Sequence, residues 1–126
     1  MRDDKALCSL RPEIPVLTTE NSSPAEQFQN KTLRPILKFQ HELLVLIVAD
    51  LPHIASIRSQ SKTLEIFKSN IIDYIKQQSE VKNQLIGLII GHLTSTEWPI
   101  YREMKTELNK RIIQMCVERA AGAIWR

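Results

Sequence analysis

Residues 33 to 51 read LRPILKFQHELLVLIVADL, and this stretch decides the fold. With about 100° of rotation per helical residue, most of its apolar side chains share one face. They are Leu33, Ile36, Leu37, Leu44, Ile47, Val48 and Leu51. A second set, Phe39, Leu43 and Leu46, runs down nearly the opposite side and is called the Leu43 stripe below. Because a helix that is apolar on two faces must be covered on two sides, we expect this segment to be the central helix of a bundle.

The rest of the chain fits one helical domain. Its 126 residues are 43% apolar, enough for a single core, and only 3 glycines and 6% aromatic residues argue against a turn-rich sandwich or barrel. The apolar spacing predicts an all-α, single-domain bundle of four main helices near 32–51, 61–78, 81–93 and 96–121, with a short helix near 24–30. Residues 1–22 contain Pro12 and Pro15 and are expected to form an extended or mobile leader. The bundle domain then spans residues 23–126.

The location of the protein is predicted from charge, cysteines and hydropathy. The formal net charge is +3, and the first ten residues carry acidic side chains where a secretory signal would be basic. The longest apolar run, Leu43 to Ala49, is far shorter than the roughly 20 residues that cross a bilayer. Cys8 and Cys116 match no metal or redox spacing. We therefore expect a cytoplasmic protein with reduced thiols and no membrane association.

Patterns that bind metals or perform nucleophilic catalysis are missing. Di-metal sites in helical bundles need Glu-x-x-His pairs, and the nearest approach, Asp50-x-x-His53, is interrupted by Pro52. Cys116 paired with His41 or His92 would make a dyad, but no flanking signature accompanies it. The sequence therefore predicts no metal, no cofactor and no catalytic residues, and it favours a non-catalytic protein over an enzyme.

Two other features have a structural and a functional interpretation. Gly87 and Gly91 lie one turn apart in a helical pattern, which indicates either a close helix–helix approach or a kinked helix end. The last predicted helix is basic, but acidic residues interrupt its positive charges, so we expect a solvated face and no nucleic-acid partner. The basic residues are Arg102, Lys105, Lys110 and Arg111, and the acidic ones are Glu103 and Glu107.

Two functions from different classes remain. The first is a self-associating interaction module, a homodimer formed through Phe39, Leu43 and Leu46, which presents its basic helix or its leader to a protein partner. The leader offers an alternative cover for the stripe through Ile14, Val16 and Leu17. The second function is a small-molecule binder or enzyme with a pocket between helices, lined by Gln40, His92 and Tyr101.

Three stretches together resemble a known group of proteins: Thr32 to Gln40 (TLRPILKFQ), Ile86 to Thr94 (IGLIIGHLT) and Leu108 to Ile112 (LNKRI). The group consists of small, helical, uncharacterised proteins from Bacteroidetes-type bacteria, some of which carry the label glyoxalase. The resemblance covers most of the chain from about Arg11 and implies a helical fold. It implies no site residues, because none are established for the group. Glyoxalase I-type enzymes hold a metal with histidine and glutamate on strands of βαβββ modules, and this sequence has no alternating strand pattern.

Overall fold

The computed structural model describes residues 1–15 and 21–126, and within these ranges the protein is all-α, as predicted. A short π-helical turn, Gln29–Leu33, joins α2 to α3. The α-helices in chain order are α1 Asp4–Ser9, α2 Pro24–Phe28, α3 Arg34–Phe39, α4 His41–Ala49, α5 Ile54–Gln60, α6 Leu64–Lys76, α7 Ser79–Ile90, α8 Glu97–Glu103 and α9 Lys105–Trp125. Within the same ranges, every helix is too short or too polar to span a bilayer.

The helix at the centre of the fold is α9. It packs against α4, α6, α7 and α8 and also contacts the π-helical turn. At about 100° per residue its buried side chains cover an arc of about 220°, more than half of the helix circumference. They are Leu108, Ile112, Ile113, Cys116, Val117, Ala120 and Ala121. The prediction that residues 33–51 form the central helix is therefore wrong: this segment packs on one side of α9, and only Leu44 and Val48 of α4 are buried.

The segment around Pro35 is continuous, whereas the proline predicts that the chain restarts or kinks near Thr32, with Thr32 as a second N-cap. The backbone N–H of Arg34 donates to the carbonyl of Gln29, five residues earlier, which is the wide turn of a π-helix. Pro35 has no N–H to donate, and this wide turn lets the helix continue through the proline. Thr32 is consequently buried inside the segment and caps nothing.

The predicted helix over 32–51 is instead divided at Gln40. This residue has φ −92° and ψ 9°, outside the α-helical region, and it separates α3 from α4. Its own N–H still donates to the carbonyl of Ile36 at 3.0 Å, and its carbonyl accepts from Leu44 at 3.0 Å. Backbone hydrogen bonding therefore continues from α3 into α4 across Gln40.

Helix starts were easier to predict than helix divisions. The sequence predicts Ser23 as the cap of the first short helix and either Ser61 or Thr63 as the start of the next long one. Ser23 accepts a hydrogen bond from the N–H of Glu26 at 3.1 Å, and Thr63 accepts one from Ile66 at 3.1 Å, so the caps are Ser23 and Thr63. The sequence did not predict α1, which Asp3 caps by accepting from Ala6 at 3.0 Å. The sequence also predicts no helix over residues 52–60, where the structure has α5. It predicts one helix over 96–121, whereas the structure divides this segment into α8 and α9 at Met104.

The two glycines do not support a close helix approach. A Cβ placed on Gly87 would meet nothing within 4 Å, and one placed on Gly91 would meet only backbone oxygens of its own helix. Gly91 is the C-terminal cap of α7, and both glycines are exposed. Of the two interpretations of this pair, the helix end is the one that the structure supports.

Candidate functional site

The Leu43 stripe lies on the outer surface of α3 and α4. Phe39, Leu43 and Leu46 are 45%, 45% and 57% exposed, although they are large apolar side chains. The described part of the chain covers only about half of each side chain. Of the leader residues considered as a lid, Ile14 is half-buried, and Val16 and Leu17 lie outside the described residues. Since monomers rarely expose contiguous apolar side chains, this surface is the first candidate for a binding site.

One end of the stripe adjoins His92. The rings of Phe39 and His92 meet edge to face with their centroids 5.4 Å apart. The next residue, Gln40, has its side-chain nitrogen 2.7 Å from Nε2 of His92. The amide donates in this contact, so Nε2 of His92 is the unprotonated ring nitrogen. The structure thus brings together two of the three predicted pocket residues, Gln40 and His92, at the border of the apolar stripe.

The environment of His92 keeps its ring neutral. Burial is the main cause that lowers the pKa of His92 below its ordinary value of 6.5, and the positive charges of Arg11 and Arg2 add to it. A neutral imidazole is able to accept the hydrogen bond from Gln40, whereas a protonated one is not. The Gln40–His92 contact is therefore a structural join between α3 and the end of α7.

Tyr101 has different neighbours. Its side chain is fully buried, its hydroxyl donates a hydrogen bond to Oδ1 of Asn109, and its ring lies 5.5 Å from that of Trp98. Burial is the main cause that raises the pKa of Tyr101 above its ordinary value of 10.0. Tyr101 therefore ties α8 to α9. Within the described residues it makes no hydrogen bond or ring contact with Gln40 or His92.

Two surface grooves also lie elsewhere. One of about 460 Å³ follows α9 and the π-helical turn. Its lining residues are Gln29, Glu107, Lys110, Arg111, Gln114, Met115 and Glu118. Another of about 300 Å³ lies between Leu7, Leu10 and Gly91, beside α1. Both are open to solvent, and neither is lined by Gln40, His92 or Tyr101.

Residues 2–11, called the N-terminal strap below, are fastened to the loop that joins α7 to α8. Arg2 donates to the carbonyl of Gly91 at 2.8 Å. Asp4 accepts hydrogen bonds from the backbone N–H of Ser95, at 2.9 Å, and from its hydroxyl. No residue of α1 is buried, so these polar contacts, more than apolar packing, hold the strap in place.

The strongest contact of the strap is the ion pair between Arg11 and Glu97. Nη1 and Nη2 of Arg11 lie 2.7 and 2.6 Å from the two carboxylate oxygens, and Nη2 also donates to the carbonyl of His92 at 2.9 Å. Glu97 in turn accepts from the N–H of Thr94 at 2.9 Å, while the Thr94 hydroxyl accepts from the N–H of Glu97 at 3.2 Å. This reciprocal pair is a capping box, which fixes the carboxylate for Arg11.

Electrostatics favour the charged form of this pair. Burial opposes ionisation of Glu97, but hydrogen bonds from Arg11 and Thr94 outweigh it and hold the pKa of Glu97 below its ordinary value of 4.5. The hydrogen bond to Glu97 raises the pKa of Arg11. Sequence reasoning missed the pair. The Thr94-x-x-Glu97 spacing indicates a cap, but nothing in the sequence indicates a partner 86 residues away.

The cysteines and the basic helix offer little chemistry. Burial raises the pKa of Cys116 to about 12, so its thiol is not a nucleophile at neutral pH. His41 lies beside Arg119, with Nδ1 3.4 Å from Nη1. Arg102, Lys105 and Lys110 are exposed, and Arg111 pairs with Glu107 at 3.1 Å.

No metal site is evident in the part of the chain that the structure describes. Over residues 1–15 and 21–126, no three His, Cys, Asp or Glu side chains are grouped so as to hold an ion. The histidines have other neighbours: His92 contacts Gln40, His41 lies beside Arg119, and His53 packs on Tyr74 with ring centroids 5.7 Å apart.

Comparisons with known proteins add no assignment. No protein-family model, no curated protein and no solved structure matches this chain. The resemblance to helical proteins of Bacteroidetes-type bacteria therefore remains a prediction from the three quoted stretches.

Proposed function

We propose that this chain is a non-catalytic protein-interaction module that self-associates through the Leu43 stripe. The observation that carries the proposal is the 45–57% exposure of three successive large apolar side chains on one helical face. A two-fold homodimer would cover both copies of the stripe at once, because a two-fold interface is self-complementary.

The energetics favour a weak dimer. Fully burying a leucine or phenylalanine side chain gains about 1.5–3 kcal/mol, and the stripe residues are already about half-covered. Each would therefore gain about 1 kcal/mol, or about 6 kcal/mol for the six side chains of two copies. Association costs at least about 4 kcal/mol of lost translational and rotational freedom. The stripe side chains alone therefore leave about 2 kcal/mol, a Kd of tens of millimolar, and a dimer that forms at hundreds of micromolar needs about 3 kcal/mol more from neighbouring residues such as His92.

The alternative, a small-molecule binder or enzyme with a pocket at Gln40, His92 and Tyr101, has less support. The side chains of Gln40 and His92 bond to each other, and the Tyr101 hydroxyl is occupied by Asn109. Ligand binding would first have to break these contacts. A glyoxalase-type activity has still less support, because the described residues contain no strands to carry its metal ligands.

The proposed setting is the bacterial cytoplasm. Cys8 and Cys116 are free, and one is exposed while the other is buried in the core. Exposed free thiols are typical of proteins from reducing compartments. Under this proposal, the partner beyond the second copy is another protein, contacted by the exposed basic side chains of α9 or by the strap.

The test is static light scattering, without dilution on a column, on the wild type and on Leu43→Glu at about 1 mM. Leu43 is half-exposed, so glutamate is tolerated in the monomer, whereas a dimer would have to bury two carboxylates. We expect a dimeric wild type and a monomeric, fully helical variant. Ile66→Glu is the matched control, because Ile66 is 43% exposed and lies on α6.

A monomeric wild type at this concentration would refute self-association. A dimeric Leu43→Glu variant would show that the proposed surface is wrong. If Ile66→Glu dissociates the dimer while Leu43→Glu does not, the contact lies on α6.

A further inference from the structure

Three basic side chains, Arg34, His41 and Arg119, come together beside α9 and are called the Arg119 cluster below. Arg34 begins α3 directly after the π-helical turn, and His41 begins α4, which packs on α9. Nη1 of Arg119 lies 3.4 Å from Nδ1 of His41. Burial lowers the pKa of Arg119 below its ordinary value of 12.5, and the positive charge of Arg34 lowers it further. The two arginines are therefore close enough to repel each other.

The cluster has no counter-charge in the part of the chain that the structure describes. Over residues 1–15 and 21–126, neither Arg34 nor Arg119 makes an ion pair. The acidic residues next to the cluster in sequence, Glu42 and Glu118, are exposed and make none either. All three basic side chains are half-buried, so water screens their charges only in part. An anion from outside the chain would relieve this repulsion.

The cluster also has hydrogen-bond donors to spare. A guanidinium only donates, so Nη1 of Arg119 donates to Nδ1 of His41, and the proton of the neutral ring lies on Nε2. Among the described residues, this Nε2, the side-chain nitrogens of Arg34 and the other nitrogens of Arg119 have no hydrogen-bond partner, yet none of them is buried. Donors from three side chains are therefore accessible to one ligand.

We propose that the Arg119 cluster binds a dianionic phosphate group, either inorganic phosphate or the phosphate of a small monoester. Two permanent positive charges match the charge of a dianion, and guanidinium groups bind phosphate oxygens with paired N–H donors. A tetrahedral phosphate accepts from donors on several sides, whereas a carboxylate presents two oxygens in one plane. The exposed Lys38, one helical turn after Arg34 on α3, adds positive charge nearby. The site does not depend on the proposed self-association.

The test is an NMR chemical-shift titration of the full chain with inorganic phosphate, and separately with phenyl phosphate, up to 20 mM. Chloride keeps the ionic strength low and constant. We expect the wild type to bind with a Kd of about 1 mM or below, and Arg34→Gln and Arg119→Gln each to weaken binding about tenfold or more, because each removes charged donors. Arg102→Gln, which changes an exposed arginine of α8, is the matched control and should bind within twofold of the wild type.

Thermal unfolding distinguishes a binding role from a structural one. Without phosphate, Arg34→Gln and Arg119→Gln relieve a repulsion, so their Tm should equal or exceed that of the wild type. At a phosphate concentration of ten times Kd, the wild-type Tm should rise by about 5 °C, while the Tm of both variants should rise by less than about 1 °C. A fall in the Tm of both variants without phosphate would assign the arginines to the fold and overturn the proposal.

The two ligands identify the source of the phosphate group. Tighter binding of phenyl phosphate supports a monoester, and tighter binding of inorganic phosphate supports the free ion. No binding at 20 mM, or equal binding by the wild type and both arginine variants, overturns the proposal. Succinate that binds as tightly as phosphate would show that the class of anion is wrong. An aspartate-rich peptide that binds through the same arginines where phosphate does not would make the cluster a protein contact and refute the phosphate site.

Discussion

Replacing Arg11 with alanine should loosen the N-terminal strap without unfolding the helical core. Arg11 makes the two hydrogen bonds to Glu97 and the one to the carbonyl of His92 that fasten the last residue of the strap. Because α1 buries no residue, little apolar packing opposes its release. Arg2 and Asp4 retain their contacts with Gly91 and Ser95 and keep the open population from becoming dominant.

The size of the effect follows from the exposure of the pair. Breaking a buried ion pair by removing one partner costs about 3–5 kcal/mol, whereas an exposed pair contributes about 0–1 kcal/mol. The side chains of Arg11 and Glu97 are 12% and 18% exposed, so the pair is neither fully buried nor fully exposed. The expected cost of removing Arg11 therefore lies between the two values, at about 2 kcal/mol. Since 1.4 kcal/mol is a factor of ten, the open population should rise about 30-fold.

Limited trypsin digestion measures this population through cleavage after Lys5, which lies in α1. When opening and closing are fast, cleavage follows the equilibrium open fraction, so the rate at Lys5 should also rise about 30-fold in Arg11→Ala. Arg102→Ala, which removes an exposed arginine from α8, is the control. A rate at Lys5 within twofold of the wild type would refute the reasoning.

Opening of the strap has a defined pH dependence. The pKa of Glu97 is lowered in the folded protein, so the pair stabilises the strap fully above pH 4.5, the ordinary pKa of the group. This stabilisation is lost as the pH falls through the lowered pKa of the folded state. Wild-type strap opening, followed by hydrogen exchange of the α1 amides, should therefore increase at acid pH, and Arg11→Ala should show a smaller increase. An equal increase in both proteins would contradict the assignment to Glu97.

Three further predictions concern single side chains. Ellman's reagent should titrate the exposed Cys8 in the native protein and reach Cys116, whose pKa is raised to about 12, only after unfolding; two reactive thiols in the native state would contradict this. Tyr101→Phe removes the hydrogen bond to Asn109 and should lower the free energy of unfolding by about 1 kcal/mol. In a calorimetric scan Tm should fall by about 4 °C. An unchanged Tm would show that this bond contributes nothing. The His92 ring should titrate below pH 6.5 in an NMR experiment. Because the unfolded state binds the proton more tightly than the folded state, the contribution of His92 to stability should decline as the pH falls below 6.5. A midpoint at or above 6.5 would be inconsistent with the burial of the ring.

The helical class of the protein was predictable because it depends on a local property. Apolar residues recur every three or four positions from Leu33 to Met115, and this spacing persists whatever the helices pack against. The central helix was not predictable in the same way. Residues 33–51 are more apolar, but α9 is surrounded, since small residues such as Cys116, Ala120 and Ala121 let neighbouring helices pack closely around it.

The candidate site shows the same division between local and distant information. Phe39, Leu43 and Leu46 are exposed because α3 and α4 carry more apolar surface than α9 covers. The contact between Gln40 and His92 joins two of the three residues that the sequence predicts to line a pocket. The Arg11–Glu97 pair joins a leader to a capping box across 86 residues, and a single sequence contains no signal for such a pairing.

The position of α9 also bears on how the chain is made. Synthesis proceeds from the N-terminus, so α4, α6 and α7 leave the ribosome before the helix against which they pack. Until Leu108 to Ala121 has been translated, their apolar faces lack the surface that buries them in the native state. The contacts of these helices with α9 therefore form late, which leaves their apolar faces exposed on the nascent chain. A ribosome that stalls before Lys105 would hold a chain that lacks the helix completing its core, and a chaperone that shields apolar helices would act in that interval.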